Sequence, residues 1–263
     1  MPPTMTASAT PTGPRFGPVG LICRADHPTF GPVADRLETL GYDVEFFQPG
    51  VDLFPAEIDG LSLLLNTAVD PASFRALRYA DRTGVPTWNG TVAHFLAARL
   101  VGVTALEAAG FDVPAVSSEP PDGPSVAKEL FDWHGGSPPT GGGESDVYQE
   151  LVAADPFDFT YYAVDDGLTT HVSCVLSRSE LHGEREIIGP VTPDPAVVAR
   201  LRRLLHLVDA RALGVDVVIS EGRNYAVDVT PATSFEGADM VDVVVDSVVD
   251  CLQTAPPRLH VEI

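Results

Sequence analysis

Residues 16–90 are constrained by two successive cycles of strand, helix and strand. The first cycle begins with the apolar run GPVGLIC (17–23) and ends with DVEFF (43–47). Between these runs, apolar residues recur at helical spacing: Phe30, Val33, Leu37 and Leu40. The second cycle runs from LSLLLN (61–66), through a helix that opens at Asp70 and Pro71, to VPTWN (85–89). Because a helical crossover leaves the joined strands parallel, the pattern predicts a small parallel sheet.

The first βαβ cycle lacks one motif that would narrow its function. No GxGxxG follows the first strand, and this glycine pattern lets a backbone approach a pyrophosphate. Its absence argues against a nicotinamide-dependent enzyme.

The net charge limits the partners of the chain. It carries 16 Lys and Arg against 37 Asp and Glu, a formal net charge of -21. This excludes nucleic acid, because phosphate contacts need a basic face. Lys128 is the only lysine, which leaves 15 arginines among the 16 basic residues. We expect a halophilic protein from a salt-rich cytosol, where a short Debye length damps self-repulsion; the alternative is an ordinary acidic protein from a GC-rich genome.

Cysteine content and hydropathy indicate the compartment. Cys23, Cys174 and Cys251 are too few and too scattered for a disulfide framework or a CxxC metal site. No apolar run approaches the roughly 20 residues that span a bilayer, and residues 1–14 have no signal-peptide pattern. We therefore expect a cytoplasmic protein with reduced thiols, no membrane partner and a disordered tail over 1–15.

The middle of the chain combines one helix with a glycine-rich segment. Apolar residues three and four apart predict a helix from Thr91 that Gly110 closes. Within it, we expect His94 to be a hydrogen-bonded core histidine rather than a ligand. The strand-like run SVAKELF (125–131) leads into DWHGGSPPTGGGES (132–145), for which two interpretations stay open: a phosphate-binding loop or a surface loop.

The last third is predicted to be two hairpins around a helix. YYAVDDGLTTHVSCVL (161–176) alternates on either side of a glycine turn, and a helix then begins at Asp194 and ends at Gly214. The second hairpin pairs VDVVIS (215–220) with NYAVDVT (224–230).

The second hairpin brings two acids together. Asp216 begins one strand and Asp228 ends its partner, so a tight turn sets them side by side. Apposed carboxylates repel, but a cation between them reverses the sign, and Mg²⁺ binds through a few acids plus nucleotide phosphates. The alternative is a pair of solvated acids in a very acidic chain.

The order of these features resembles the ATP-grasp superfamily, especially the ribosomal-protein glutamate ligases and related carboxylate-amine ligases. The similar segments follow in chain order: NGTVAHFLAAR (89–99) with DVP (112–114), VAK (126–128), YQELV (148–152), GVDVVIS (214–220) and YAVDVTPATSFEG (225–237). The resemblance implies an α/β (α+β) ATP-grasp fold with three parts. These are an N-terminal parallel-sheet domain (16–90), a short central subdomain (91–147) and a C-terminal antiparallel α+β subdomain (148–255).

The resemblance also implies which residues hold ATP and Mg²⁺. The nucleotide-binding positions are Arg99 and Lys128 for the phosphates, backbone groups of Glu150, Leu151 and Val152 for adenine, and Asp155 for the ribose. The metal positions are Asp216, Asp228 and Thr230. Arg178 matches an arginine near the transferred phosphate and is the expected catalytic residue.

The implied reaction is an ATP- and Mg²⁺-dependent ligation. A phosphoryl group passes to a small-molecule or peptide carboxylate, and an amine or thiol attacks the resulting acylphosphate. By analogy with such ligases, a homodimer paired through the N-terminal domain is one expectation, and the sequence leaves the oligomeric state open.

Several positions depart from the family pattern. Thr230 replaces a metal-binding Asn, Asp228 replaces Glu, Arg99 replaces Lys, and Asp158-Phe159-Thr160 replaces Asp-x-Arg. A hydroxyl is a poorer ligand for a hard cation than an amide oxygen. These departures keep open a catalytically degenerate module that binds nucleotide or a partner protein. A third hypothesis is an α/β binding domain without a nucleotide site.

Overall fold

The computed structural model describes residues 17–131, 146–179 and 186–255. The predicted tail and the glycine-rich segment 132–145 lie outside the described residues. Within the described ranges, no helix is long and apolar enough to cross a bilayer.

A four-stranded parallel sheet forms the N-terminal part. Its strands are β1 (Val19–Ile22), β2 (Val44–Phe47), β3 (Leu63–Asn66) and β4 (Thr87–Trp88), in the order β2-β1-β3-β4. The helices between them are α1 (Phe30–Thr39), α2 (Pro55–Asp59) and α3 (Pro71–Thr83). The side chain of Asp70 caps α3 by accepting from the N–H groups of Ala72 and Ser73. The predicted parallel sheet is confirmed.

The middle of the chain contributes a small antiparallel sheet and a broken helix. The elements are α4 (Thr91–His94), a 3₁₀ turn (Phe95–Ala97), α5 (Arg99–Ala109), β5 (Val116–Ser117), β6 (Ser125–Lys128) and β7 (Val147–Glu150). The sheet order is β5-β7-β6. The prediction of one continuous helix from Thr91 to Gly110 is wrong. Ala98 is extended and pairs with Phe131, so the chain changes direction and α5 starts anew at Arg99.

A five-stranded antiparallel sheet dominates the C-terminal part. Its strands are β8 (Phe157–Asp165), β9 (Thr170–Arg178), β10 (Glu186–Val191), β11 (Ala212–Ser220) and β12 (Arg223–Thr230), in the order β10-β9-β8-β11-β12. Helix α6 (Pro195–Leu207) precedes β11, and α7 (Val241–Thr254) follows β12. Both predicted hairpins are confirmed.

The helix α6 ends earlier than its sequence pattern predicts. It stops at Leu207, and Gly214, the predicted end, lies instead within β11 opposite Thr230. A Cβ on Gly214 would lie 2.9 Å from Oγ1 of Thr233. The glycine therefore allows close packing of Thr233 against β11, and it does not end a helix.

The five-stranded sheet buries both of its faces. One face packs Tyr162, Val164 and Val175 against α7, α1 and the parallel sheet, whereas the other packs Tyr161, Cys174 and Val215 against α5 and α6. Alternation along each strand produces this division, since successive side chains point to opposite faces. Cys23, Cys174 and Cys251 are all buried free thiols. This agrees with the prediction that the cysteines form no disulfide framework.

Asn89 joins the parallel sheet to the five-stranded sheet. Its Nδ2 donates to the carbonyls of Ala212 (2.6 Å) and Pro231 (2.7 Å). Its Oδ1 accepts from the N–H groups of Arg211 (2.8 Å) and Ala212 (3.0 Å). The residue is buried and holds a φ of 61°, a left-handed conformation that Asn tolerates better than most residues. One side chain thus satisfies four backbone groups at the boundary of two sheets.

We expect Asn89→Ala to lower the free energy of unfolding by about 3 kcal/mol, because it leaves buried backbone groups unsatisfied and strains a positive φ. Urea unfolding measures the loss. The matched control is Asn224→Ala, which removes a single half-buried hydrogen bond to Asp194 and should cost about 1 kcal/mol or less. Equal losses in the two variants would contradict the role of Asn89 as a junction.

His94 is a core histidine, as predicted. It is fully buried, with Nε2 2.9 Å from Nδ2 of Asn66 and Nδ1 3.2 Å from the carbonyl of Gly90. A carbonyl can only accept, so Nδ1 carries the proton and Nε2 accepts from Asn66. Burial lowers the pKa of His94 to about 4. The ring is therefore neutral in the folded protein at neutral pH.

The lowered pKa makes stability depend on pH. Between the unfolded pKa of about 6.5 and the folded pKa near 4, the unfolded chain binds the proton first, so acid destabilises the fold. We expect this group to withdraw about 3 kcal/mol of stability as pH falls through that window. Urea unfolding of the parent and of His94→Gln at several pH values measures the difference. Parallel pH profiles would contradict the assignment.

Candidate functional site

The two carboxylates of the second hairpin lie directly opposite each other. Asp216 on β11 pairs with Asp228 on β12, and the register shifts by one residue immediately beyond them. The predicted apposition is therefore confirmed. Oγ1 of Thr160, on the neighbouring strand β8, donates to Oδ1 of Asp216 at 2.7 Å. This hydrogen bond orients one carboxylate from inside the sheet.

Two cations converge on the other carboxylate. Nη1 of Arg99 lies 2.5 Å from Oδ1 of Asp228, and Nζ of Lys128 lies 3.9 Å from Oδ2. The side chains of Arg99 and Lys128 are only 9% exposed, against 32% for Asp228. Partial burial strengthens such pairs relative to surface ion pairs. Among the described residues, the cluster places two cationic side chains beside two carboxylates.

The register shift in β12 is held in place by the central subdomain. It leaves Val227 without a partner on β11, and its carbonyl accepts from Nζ of Lys128 (3.0 Å) and Nε2 of Gln149 (3.2 Å). Gln149 is buried. Lys128 on β6 and Gln149 on β7 therefore tie the small sheet to the edge of the five-stranded sheet beside the carboxylates.

Gln149 and Thr160 contact the charge cluster or its supporting backbone, although the sequence motifs do not single them out as site residues. For Gln149, the sequence signal is a polar residue among buried neighbours in VYQE. No pattern in the sequence indicates that the hydroxyl of Thr160 meets Asp216, because the contact spans 56 residues.

Thr230 lies on the same strand face as Asp228. It pairs with Gly214, and its Cγ2 lies 3.1 Å from where a Cβ on that glycine would be. The methyl group thus packs across the strand pair. Among the described residues, no group of three or more His, Cys, Asp or Glu side chains could hold a metal ion. A cation here would bind two acids and take further oxygens from a ligand.

The segment predicted to contact adenine is tied to the small antiparallel sheet. The N–H groups of Glu150 and Leu151 donate to the carbonyls of Ala115 (2.8 Å) and Pro124 (3.0 Å). Both N–H groups therefore serve the protein's own structure. The carbonyl of Val152 accepts from the N–H of Ala154 at 2.9 Å.

Asp155 lies at the far end of this segment. Its N–H donates to the carbonyl of Ile219 at 3.1 Å, and its side chain is exposed. This contact sets Asp155 beside Ile219 of β11, and Ile219 lies three residues after Asp216 in the chain. The segment therefore crosses from the central sheet to the strand that carries the first carboxylate.

Arg178 does not join the cluster. It ends β9, is exposed, and its Nε lies 3.3 Å from Oε2 of Glu186. Its register partner is Phe157, and strand alternation assigns it to the face opposite Thr160. The structure thus brings together Arg99, Lys128, Asp216 and Asp228, and it leaves Arg178 apart. Its catalytic role stays a prediction.

Solved structures with this architecture include several ATP-grasp ligases. One is PsnB complexed with a minimal precursor, at 14% identity and a TM-score of 0.65, covering 89% of this chain and 99% of that one. A RimK domain protein from Sphaerobacter thermophilus is 15% identical with a TM-score of 0.63, covering 90% and 98%. The macrocyclase MdnC from Microcystis aeruginosa, bound with precursor peptide MdnA, is 10% identical with a TM-score of 0.62, covering 89% and 98%.

The chain has the ATP-grasp fold, as its sequence motifs predict. No protein-family model matches it, and no curated protein matches it by sequence. The likeness therefore lies in the structure and in the short ordered motifs.

The charge cluster makes a measurable energetic prediction. We expect a double-mutant cycle of Arg99→Met and Asp228→Asn to give a coupling free energy of about 2 kcal/mol, because each single variant leaves a partly buried charge poorly compensated. Urea unfolding of the four proteins measures it. The control cycle is Arg24→Met with Asp26→Asn, a pair that is 68% and 72% exposed. Equal coupling in both cycles would contradict a cluster strengthened by burial.

Proposed function

We propose that the protein is an ATP- and Mg²⁺-dependent ligase that joins a carboxylate to an amine or thiol. The observation that carries the proposal is the convergence of Arg99 and Lys128 on Asp228, which lies directly opposite Asp216. The cations come from α5 and β6, and the acids from β11 and β12. Cationic side chains that could bind phosphates and carboxylates that could bind a divalent cation thus lie together where the small central sheet meets the five-stranded sheet.

The acids fit a magnesium ion in chemistry and number. Asp216 and Asp228 offer hard oxygen ligands on one strand face, with the hydroxyl residue Thr230 two positions beyond Asp228. Mg²⁺ prefers one or two carboxylates together with substrate phosphates. Since Arg99 already pairs with Asp228, we infer that Arg99 and Lys128 exchange this carboxylate for phosphate oxygens when nucleotide binds.

The remaining residues act through position and charge. Bound ATP with Mg²⁺ supplies the phosphoryl group that activates the acid. Thr160 orients Asp216, and Lys128 and Arg99 compensate negative charge. The segment of Glu150, Leu151 and Val152 would meet adenine mainly through groups other than the N–H groups of Glu150 and Leu151, and Asp155 would hold the ribose. Arg178 would act only if its side chain leaves Glu186.

A peptide carboxylate is the substrate class that we favour over a small acid. The structure of PsnB is a complex with a minimal precursor, and that of MdnC is a complex with the precursor peptide MdnA. Both structures match 89% of this chain. A cytoplasmic location, a salt-rich cytosol and pairing of two copies remain expectations from the sequence.

A degenerate module is the second candidate, and one contact favours it. Arg99 and Lys128 already compensate the charge of Asp228, one of the two proposed metal ligands. Thr230 and the shorter Asp228 would weaken metal binding further. Such a protein would bind nucleotide without requiring Mg²⁺.

Calorimetric titration of ATP with and without Mg²⁺, in molar potassium chloride, separates the two candidates. For a ligase, we expect Mg²⁺ to tighten ATP binding by about tenfold or more, and Asp216→Asn with Asp228→Asn to abolish that gain. The control is Asp239→Asn with Asp246→Asn, which removes two exposed acids elsewhere. Binding that is indifferent to Mg²⁺ would support the degenerate module.

Lys128→Ala tests the phosphate contact in the same titration. We expect about a tenfold or larger loss of ATP affinity, since it removes a partly buried cation. Arg202→Ala, at an exposed position of α6, is the control. An unchanged affinity of Lys128→Ala for ATP would contradict the proposed position of the nucleotide.

A further inference from the structure

Helix α3 carries a basic face in a strongly acidic chain. Arg75, Arg78 and Arg82 are three of only 16 basic residues in a protein with a net charge of -21. Residues three and four apart lie on one side of a helix, so these guanidinium groups form a single stripe. All three are exposed and line the same cavity.

The cavity lies between α2 and α3 and has a volume of about 370 Å³. Its apolar lining includes Leu53, Ile58, Ala72 and Ala76, and Tyr79 contributes an aromatic wall. Beside it, Phe54 at the start of α2 is 73% exposed. An apolar floor with a few charged groups at the rim is the usual composition of a ligand site.

The three arginines differ in how far the protein neutralises them. Arg75 forms an ion pair with Asp52 at 2.6 Å. Arg82 lies over the ring of Tyr79, 5.7 Å from its centroid, and the Tyr79 hydroxyl donates to Asp59. Over the described ranges of the chain, neither Arg78 nor Arg82 forms an ion pair with a carboxylate. The lining also includes Asp52, which Arg75 pairs with, so two of the lining arginines keep a charge that no carboxylate of the described residues neutralises.

We propose that this pocket binds an extended acidic peptide segment in which acidic and apolar residues alternate. Arg78 and Arg82 are four residues apart on α3, a rise of about 6 Å. Carboxylates on alternate residues of an extended chain are about 6.6 Å apart, so two of them match the two guanidinium groups. The intervening apolar side chain would then face the cavity floor of Leu53 and Ile58.

The pocket is separate from the carboxylate cluster, since none of its lining residues belongs to β6, α5, β11 or β12. Peptide binding therefore does not require the proposed ligase activity. Its role as a tether for a peptide substrate does rest on that proposed function. A second copy of this acidic chain is the competing occupant, and the experiment separates it.

The test is fluorescence anisotropy of a fluorescein-labelled peptide in which Glu alternates with Leu. The matched probe has Gln at every Glu. We expect saturable binding of the Glu peptide, and about tenfold or weaker binding of the Gln peptide and of the Arg78→Gln, Arg82→Gln variant. The control variant, Arg36→Gln with Arg202→Gln, removes two exposed arginines from other helices and should bind as the parent does.

Three results would overturn the proposal. These are no saturable binding by the parent, equal binding by the Arg78→Gln, Arg82→Gln variant, and equal binding of the two probes. Sedimentation of the parent and the variant adds a fourth. If the parent forms a dimer, the variant does not, and neither binds the peptide, the occupant of this face is a second copy of the chain. ATP titration of the same variant should match the parent, so failure of this pocket is distinguishable from failure of the nucleotide site.

Discussion

The apposition of Asp216 and Asp228 is the constraint on which the site depends. Two carboxylates on opposite residues of a strand pair repel, and the fold must supply positive charge to hold them there. Arg99 and Lys128 supply it from the other subdomain, and Thr160 adds a hydrogen bond from within the sheet. These contacts gather charges of both signs at the point where the small sheet meets the five-stranded sheet.

Contacts with one strand edge connect this chemistry to the fold. The carbonyl of Val227 accepts hydrogen bonds from the side chains of Lys128 and Gln149. The carbonyl of Asp112 accepts a hydrogen bond from the N–H of Ala226. The central part of the chain is thereby attached to β12 at two successive residues of the register shift, Ala226 and Val227. Because Lys128 contacts both this carbonyl and Asp228, a ligand that draws Lys128 away would loosen the attachment as well as the charge cluster.

The departures from the family pattern differ in their structural effect. Arg99, where the sequence resemblance implies a lysine, reaches Asp228 with a guanidinium group. Thr160, in place of arginine, exchanges a charge for a hydroxyl that binds Asp216. In both cases a side chain of the protein already contacts one of the two carboxylates. Dependence on Mg²⁺, rather than nucleotide affinity alone, therefore discriminates a ligase from a degenerate module.

Local patterns in the sequence determined the elements and part of the site. Apolar runs and helical spacing predicted the parallel sheet, and the positions of Asp216 and Asp228 around a tight turn predicted their pairing, because both depend on neighbours along the chain. Tertiary structure decided what no local pattern carries. The break at Ala98 follows from pairing with Phe131, and Gly214 belongs to a strand because Thr230 and Thr233 pack over it. The contacts of Arg99 with Asp228 and of Thr160 with Asp216 join residues 129 and 56 positions apart, and only the packing of separate sheets brings such residues together.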